Sequence, residues 1–493
     1  MEYFLSNHPA FEFLNRKEYF MQKKFLIAGL SFAGLALILT LSSFFKPQSS
    51  SSEQPTPPDD ISYQSNKKAH STRNHLHLYS AFENDYYMNT DPKGFFYAEL
   101  NAENMPDLRR QEVPLNLAIV IDRSGSMSGE KIVNARKAAK YIINQLGADD
   151  YVSIISYSSQ VELVHATSRV QNQQSILSKI DRIISSGGTN LMGGAQRGYD
   201  EVKRNYKTGY INRVLLLSDG QANEGITDPT QIQKIVRNQN NIHGISISTF
   251  GLGLDYNEDL MTAMAEHGSG NYYFIRDANG IAQVFERELN GYKELIAQNV
   301  QMEIRIPDNI QVEQVYGQSY EMEGRKIKVY IRDLFSKDRK GILVRYKNME
   351  QSSRNINFIT KVTFTDPSTE MPFDLKTSNE LEFTNSRRLY LENFNEWVST
   401  QVTLYESNEQ LELAMREADK GNYEKAKQIT VENKMYMQKK APLVKKSEEL
   451  QRAASNNESY DVKVESLQEM PAEEVKAVQK EYKSTNYQIR SKK

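Results

Sequence analysis

The sequence predicts an α/β fold in which a doubly wound, mostly parallel sheet is inserted beside a β-sandwich, with a C-terminal helical hairpin and an N-terminal transmembrane helix. Three observations predict this architecture. Apolar strands alternate with amphipathic helices over residues 113–290, strands with period-two alternation fill residues 297–385, and an uncharged apolar segment covers residues 25–45. At 493 residues the chain is long enough for about three folding units.

Composition excludes several classes of protein. Charged residues make up 25% of the chain and hydrophobic residues 39%, which is ordinary for a globular protein. The net charge of −2 provides no field that would attract nucleic acid. Because the chain has no cysteine, disulfides, thiolate metal sites and cysteine nucleophiles are excluded.

The N-terminal part is predicted to be a signal anchor. Residues 1–24 form a cytoplasmic segment, and the 21 uncharged residues of 25–45 would span about 31 Å as a helix, which matches a bilayer core. Basic residues precede this segment, so the positive-inside rule places the rest of the chain outside the cytoplasm. We expect a single-pass protein of the cell membrane whose body lies in the periplasm or at the cell surface.

Two alternatives remain open in this part of the sequence. Met21 begins a pattern typical of a signal peptide, so the first 20 residues are a candidate for mis-assigned leader. If the signal is cleaved, the protein is secreted.

Residues 46–75 are rich in serine and proline and are predicted to be a disordered linker.

The α/β region begins with an apolar strand at residues 115–121, of the kind that lies centrally in a parallel sheet. A helix follows, since apolar residues recur at three- and four-residue spacing up to Leu146. Further strands are predicted at residues 151–157, 161–166, 214–217 and 245–250, with the first two forming an antiparallel edge hairpin. Further helices are predicted near residues 172–184, 191–206, 229–240 and 257–267.

Three loops in this region carry polar residues where strands end or helices begin. They are Asp122-Arg123-Ser124-Gly125-Ser126, Gly187-Gly188-Thr189-Asn190 and Ser218-Asp219-Gly220. Because ligands of open α/β sheets bind at the carboxyl ends of the strands, we expect the loops to face one crevice. Two carboxylates and three hydroxyls are hard oxygen donors, which suit Mg²⁺, with Mn²⁺ or Ca²⁺ as alternatives. The competing interpretation is that these residues only cap helices and form turns.

This pattern resembles the von Willebrand factor A (VWA) domain, a Rossmann-like fold, and specifically the exported bacterial group known as calcium-activated chloride channel homologues or inter-alpha-trypsin-inhibitor-like proteins. The resemblance covers about residues 113–290. The five positions of that family's metal-ion-dependent adhesion site fall on Asp122, Ser124, Ser126, Thr189 and Asp219. The resemblance implies that Ser124, Ser126 and Thr189 coordinate the metal directly. Asp122 and Asp219 would act mainly through water.

Other candidate residues carry weaker signals. Gln221, Asn223 and Glu224 follow Asp219 closely enough to line the rim of the crevice and contact a partner, although a solvated loop explains them equally well. His75 and His77 are predicted to share a solvent-facing side of a strand, with metal binding as the less favoured alternative.

No catalytic or nucleotide-binding residues are predicted. The serines lack a nucleophile elbow, and His165 lies on the predicted edge hairpin with no evident role as their base. Gly251-Leu252-Gly253 lacks the third glycine of a dinucleotide-binding loop.

The flanking regions are predicted to add three structural parts. Residues 76–112 form an N-terminal β segment that a β-sandwich domain at 297–385 completes, as the family resemblance also implies. Residues 388–455 form a helical hairpin with its turn at Gly421-Asn422. Residues 456–493 alternate lysine and glutamate and are predicted to be a charged, flexible tail.

The sequence therefore predicts a membrane-tethered extracytoplasmic binding protein, not an enzyme, that binds an acidic side chain of a protein partner through Mg²⁺. The alternatives are a structural or regulatory subunit of an envelope complex and an accessory subunit of an enzyme complex. A single span without intramembrane charge argues against a conducting pore. Alanine at Asp122 or Asp219 is expected to change stability little, because both residues are assigned to loop tips.

Overall fold

The computed structural model describes residues 61–104, 113–277, 280–291, 295–350 and 353–491. The predicted cytoplasmic segment at residues 1–24 and the predicted transmembrane helix at 25–45 lie outside this set. Within it, no helix combines the length and the apolar character that a bilayer crossing requires.

The linker predicted at residues 46–75 is wrong in its last part, where the chain is ordered by pairing with distant segments. Tyr63 forms an antiparallel β-bridge with Asn393. Strand β1 (Ala69–Arg73) then pairs antiparallel with β2 (Leu76–Phe82). Backbone hydrogen bonding therefore orders residues whose polar composition alone would not.

Two further strands complete the N-terminal β segment, and the α/β domain follows them. The strands of the β segment are β3 (Tyr86–Tyr87) and β4 (Lys93–Ala102). Those of the α/β domain are β5 (Leu115–Asp122), β6 (Tyr151–Tyr157), β7 (Val161–Arg169), β8 (Ile211–Ser218), β9 (Ser246–Leu252) and β10 (Tyr272–Ile275). Its helices are α1 (Glu130–Gln145), α2 (Gln173–Asp181), α3 (Leu191–Arg204), α4 (Pro229–His243), α5 (Glu258–His267) and α6 (Gly280–Gly291).

The α/β domain has the sheet order β10-β9-β8-β5-β6-β7, in which only the edge strand β7 runs antiparallel to its neighbour. Buried apolar side chains form one cluster on each face of the sheet. Strand β5, whose side chains are almost all buried, lies in the middle of the sheet. The predicted doubly wound, mostly parallel sheet and its edge hairpin are confirmed, and β10 and α6 are elements that the periodicity did not indicate.

The second β segment supplies seven strands that join the first segment in a two-sheet sandwich. They are β11 (Leu295–Arg305), β12 (Ile310–Tyr316), β13 (Tyr320–Glu323), β14 (Lys326–Phe335), β15 (Arg339–Asn348), β16 (Ile356–Thr365) and β17 (Pro372–Phe383). The sheet orders are β1-β2-β4-β15-β12 and β13-β14-β11-β16-β17-β3. Strand β4 pairs with β15, so the α/β domain is inserted between strands of a single sheet.

Helices occupy the C-terminal part of the described chain. They are α7 (Arg387–Glu392), α8 (Glu396–Asp419), α9 (Tyr423–Lys439), α10 (Ala441–Lys446), α11 (Glu448–Ser466) and α12 (Ala472–Arg490). Helices α8 and α9 form the expected hairpin around Gly421, whose φ of 80° is in the left-handed region that glycine adopts without strain.

The prediction of a flexible tail over residues 456–493 is wrong. This stretch contains the second half of α11 and all of α12, and several of its large side chains are used for packing. Tyr460 and Val464 lie in the helical core, whereas Tyr487 lies in the core of the α/β domain. Charged residues that suggested disorder form ion pairs, such as Glu458 with Lys434 and Lys476 with Asp255. Two of them, Asp461 and Lys480, are buried.

Candidate metal centre

The predicted metal-binding loops meet at the carboxyl edge of the parallel sheet. Asp122 ends β5 and Ser218 ends β8. These strands are neighbours, with Ile121 opposite Leu217, so Asp122 lies beside the loop that contains Asp219. The backbone N–H of Gly125 donates to the carbonyl of Gly187 at 2.9 Å, which joins the first loop to the one that carries Thr189.

Asp122 is completely buried, and both of its carboxylate oxygens accept hydrogen bonds. The backbone N–H of Ser124 donates to Oδ1 at 2.9 Å. The hydroxyls of Ser218 and Tyr157 donate to Oδ2 at 2.6 and 3.0 Å. These three donors hold the carboxylate in place at the base of the candidate site.

Burial and hydrogen bonding shift the pKa of the Asp122 carboxyl in opposite directions. Burial raises the pKa of Asp122 above its ordinary value, whereas the hydrogen bonds from Ser218 and Ser124 lower it. The like charge of Asp219 makes a smaller contribution that also raises the pKa of Asp122. A bound cation would relieve this repulsion.

The three hydroxyls of the predicted set come from two loops. Ser124 Oγ and Ser126 Oγ are 3.0 Å apart, at a single turn of 3₁₀-helix over Gly125–Met127. Ser124 and Thr189 are about 1% exposed, whereas Ser126 is exposed. The site therefore reaches the surface on the side of Ser126.

Helix α3 holds Thr189 against the sheet. Its N-cap, Asn190, accepts a hydrogen bond from the backbone N–H of Gly193 at 3.0 Å. The helix approaches the strands closely because Gly194 has no side chain, and a β-carbon there would collide with the ring of Tyr157. Tyr157 therefore contacts both the helix that follows Thr189 and the carboxylate of Asp122.

Asp219 is the residue whose surroundings are incomplete. Its side chain is fully buried, and Oδ2 lies 3.2 Å from the ammonium of Lys131. Its other oxygen, Oδ1, is also buried and has no hydrogen-bond partner among the residues that the structure describes. An unsatisfied buried carboxylate oxygen is costly, so a cation or a water molecule bound to a cation would stabilise this position.

The chemistry of the donors fits a hard divalent cation. The set contains two carboxylates and three hydroxyls, and Mg²⁺ takes oxygen ligands while keeping several waters. Across the described ranges there is no group of three or more His, Cys, Asp or Glu side chains positioned to hold a metal. The arrangement depends on hydroxyl oxygens, which do not favour soft transition metals.

The three predicted rim residues all make contacts within the protein. Gln221 Nε2 donates to the carbonyl of Asp255 at 2.5 Å. Asn223 Oδ1 accepts from the backbone N–H of Thr189 at 2.8 Å, and Glu224 accepts from the Ser159 hydroxyl at 2.8 Å. These contacts connect the rim to the loops beneath it, and Asn223 fixes the backbone of a predicted metal ligand.

Sequence reasoning missed Lys131 and Tyr157, and it placed Ser218 in the loop of Asp219 without giving it a role. Each acts through a partner at least 35 residues away along the chain. The strand ends at Tyr157 and Ser218 were visible in the pattern, but their pairing with β5 depends on strand order and register. No local signal identifies Lys131, which looks like an ordinary surface residue of an amphipathic helix.

The histidines considered as alternatives lie elsewhere. His75 is in a turn with φ of 66°, so it does not share a strand face with His77 as predicted. Both rings hydrogen-bond the carboxylate of Glu103, each at 2.8 Å. His165 lies on β7, where it contacts Ser168 and Lys179 and not the loop serines.

Comparison with known proteins places the central region in a family. Residues 116–287 match the model of the von Willebrand factor type A domain. Over 201 residues the chain is 31% identical to the uncharacterized protein YfbK of Escherichia coli (strain K12), covering 40% of this chain and 35% of YfbK. Over 189 residues it is 31% identical to inter alpha-trypsin inhibitor, heavy chain 4, of Mus musculus, covering 36% of this chain and 19% of that protein. The matches thus span about a third or less of these relatives.

Solved structures share the fold over a larger part of the chain. A von Willebrand factor type A protein from Catenulispora acidiphila has a TM-score of 0.57 at 15% identity, covering 75% of this chain and 88% of that one. The ArnB paralog VWA2 from Sulfolobus acidocaldarius has a TM-score of 0.56 at 16% identity, covering 85% and 98%. The sheet order and these matches agree, and the chain therefore contains a von Willebrand factor type A domain over residues 116–287.

Proposed function

We propose that this domain binds Mg²⁺ and uses the ion to hold an acidic side chain of a protein partner. The residues that would hold the ion are Asp122, Ser124, Ser126, Thr189 and Asp219. Bound Mg²⁺ would supply a positive centre for the partner's carboxylate. A role in protein interaction or adhesion, without catalysis, is the general one that VWA domains of this kind suggest.

The observation that carries the proposal is the buried, unpartnered Oδ1 of Asp219. The charge of Asp219 raises the pKa of Asp122. The hydroxyls of Ser124 and Ser126, two and four residues after Asp122, are 3.0 Å apart. A site built only for turns and helix caps would satisfy its buried acceptors from neighbouring backbone N–H groups, as Asp122 does. Among the described residues, no backbone N–H donates to Oδ1 of Asp219, and a bound cation would satisfy this oxygen instead.

The proposal of an acidic partner follows from charge and exposure. Two carboxylates neutralise a divalent cation without leaving excess negative charge, so a third carboxylate does not meet strong repulsion. Ser126 is exposed, which leaves the site open to a partner on that side.

Calorimetric titration with Mg²⁺ and Mn²⁺ tests the metal site. We expect wild type to release or absorb heat, Asp122→Ala and Asp219→Ala to lose it, and Thr189→Ala to keep a weaker response because water can replace a neutral ligand. Equal heats for all four proteins would mean that the five residues serve only as caps and turns. Capture of a partner that chelator reverses would then test the binding role.

We further propose that the protein is tethered to the cell membrane with its body outside the cytoplasm. The support is the uncharged segment at residues 25–45 with basic residues before it. Protease added to intact spheroplasts should remove the VWA domain. Protection of the domain in intact spheroplasts, with digestion after lysis, would contradict an extracytoplasmic location.

A further inference from the structure

Lys131 is a basic residue that contacts Asp219 of the candidate metal site. Its ammonium is 3.2 Å from Asp219 Oδ2, and its side chain is 23% exposed while that of Asp219 is fully buried. The lysine stem passes over Gly253, where an added β-carbon would lie 2.9 Å from Lys131 Cε. Gly253 has a φ of 77°, so a larger residue would be strained there and would also obstruct the path of the lysine.

The position of Lys131 in its helix is unfavourable by itself. It is the second residue of α1, directly after the N-cap Gly129 and Glu130. The N-terminal end of a helix carries a partial positive charge, which disfavours a lysine in the first turn. The contact with Asp219 compensates for this, and α1 in turn holds the ammonium close to the site.

We propose that Lys131 is a built-in counter-ion that sets the affinity of the site for Mg²⁺, an inference that rests on the proposed function. Asp122, Asp219 and Lys131 together carry one net negative charge, so the site attracts a divalent cation less strongly than two carboxylates alone would. Once Mg²⁺ is bound, the same groups sum to one net positive charge, which a carboxylate of the partner would neutralise. Lys131 therefore weakens the attraction of the empty site for Mg²⁺ and leaves the loaded site with a positive charge that favours an acidic partner.

The proposal is tested by titrating the full-length protein with Mg²⁺ in a calorimeter. Lys131→Met removes the charge and keeps most of the stem, so we expect Mg²⁺ to bind roughly tenfold more tightly than to wild type. Lys131→Arg keeps the charge and should stay within about threefold of wild type. The matched control is Lys140→Met, since Lys140 lies on the same helix and forms an ion pair with Asp181, with side-chain exposures of 33% and 55%.

A second measurement does not depend on the metal. In chelator, Lys131→Met should lower the melting temperature because it leaves Asp219 buried without its counter-ion, and the same change in an Asp219→Asn background should have little effect. If Lys131→Met lowered the melting temperature equally in the wild-type and Asp219→Asn proteins, the ion pair between Lys131 and Asp219 would be refuted.

The outcomes separate this inference from the proposed function. Tighter Mg²⁺ binding by Lys131→Met alone supports it. If wild type binds Mg²⁺ and Lys131→Met binds it with the same or lower affinity, the inference is overturned but the metal site stands. The same conclusion follows if Lys131→Arg gains as much Mg²⁺ affinity as Lys131→Met. Absence of Mg²⁺ heat in wild type and in Lys131→Met would overturn both.

Discussion

At the scale of single residues, Asp122 and Asp219 follow neighbouring strands but are held in different ways. Asp122 accepts three hydrogen bonds from Ser124, Ser218 and Tyr157. Asp219 contacts one ammonium and leaves one oxygen unsatisfied. The expectation that both lie at loop tips is wrong, since both are fully buried. They are therefore expected to differ in what they contribute to stability.

The first prediction is that Asp122→Ala destabilises the metal-free protein by about 2–4 kcal/mol, because three hydrogen-bond donors lose a charged acceptor. Asp219→Ala should change the free energy of unfolding by no more than about 1 kcal/mol, since the loss of the Lys131 contact is offset by relief of repulsion with Asp122. Urea unfolding in chelator measures both. If the two variants lowered the free energy of unfolding equally, the three hydrogen bonds to Asp122 would not make the predicted contribution to stability.

His267 provides a prediction about pH. Its Nδ1 lies 3.0 Å from the Arg237 guanidinium and 2.6 Å from the Ser319 hydroxyl, so it accepts hydrogen bonds and the ring is neutral. Burial and the charge of Arg237 lower the pKa of His267 from 6.5 to about 4. His267 also lines a cavity of about 1090 Å³, which residues of the VWA domain, the β-sandwich and the helices surround.

Between pH 6.5 and 4 the unfolded chain takes up a proton at this position and the folded protein does not, so stability falls as the pH is lowered. Because solvent screens this partly exposed ring, the loss is expected to be about 1–2 kcal/mol. His267→Asn, which keeps an acceptor but does not titrate, should lack this component. The difference in unfolding free energy between wild type and variant, followed from pH 7 to 4, measures it, and a constant difference would contradict the assignment.

At the scale of elements, α12 joins the helical part to the VWA domain. Tyr487 is buried in the VWA core, with its ring edge-on to Tyr272 at a centroid distance of 5.6 Å. Lys476 pairs with Asp255 at 2.7 Å, which belongs to the loop that Gln221 also contacts. The last helix therefore supports a loop adjacent to the candidate metal site.

Tyr487→Ala is predicted to cost about 3 kcal/mol and to loosen α12 from the VWA domain. Amide hydrogen exchange should become faster in the loop at residues 253–257 and in α5. Tyr482→Ala is the matched control, since Tyr482 lies on the same helix but packs on Tyr460 at 5.0 Å within the helical part. If both variants changed exchange in the same segments, the attachment of α12 through Tyr487 would be refuted.

The elements differ in how far the sequence predicts them. The strands of the VWA sheet and the loops after β5 and β8 are predictable because apolar runs and the polar residues that end them are local features. Helix α12 was not predicted, because it is rich in lysine and glutamate and has few large apolar residues, and composition does not reveal that Tyr487 is buried against the α/β domain. The pairing of Lys131 with Asp219 was not predictable either, since it depends on how α1 lies beside the loop after β8.

At the scale of the whole molecule, the VWA domain is held at three places. The chain enters it from β4 and leaves it into β11, which lie in different sheets of the sandwich, the sandwich contacts it at His267, and α12 packs on its core. The described residues from 61 onward form one compact unit. The VWA domain that carries the candidate metal site is therefore packed against the rest of this unit.

The central claim is that Asp122, Ser124, Ser126, Thr189 and Asp219 form a divalent-cation site. The most direct measurement is anomalous diffraction from crystals of the protein soaked in Mn²⁺, which locates the ion without assuming its ligands. The account predicts a peak within coordination distance of the hydroxyls of Ser124, Ser126 and Thr189, absent from crystals of Asp219→Ala. A strong peak elsewhere, or no peak at this edge of the sheet at saturating Mn²⁺, would contradict it.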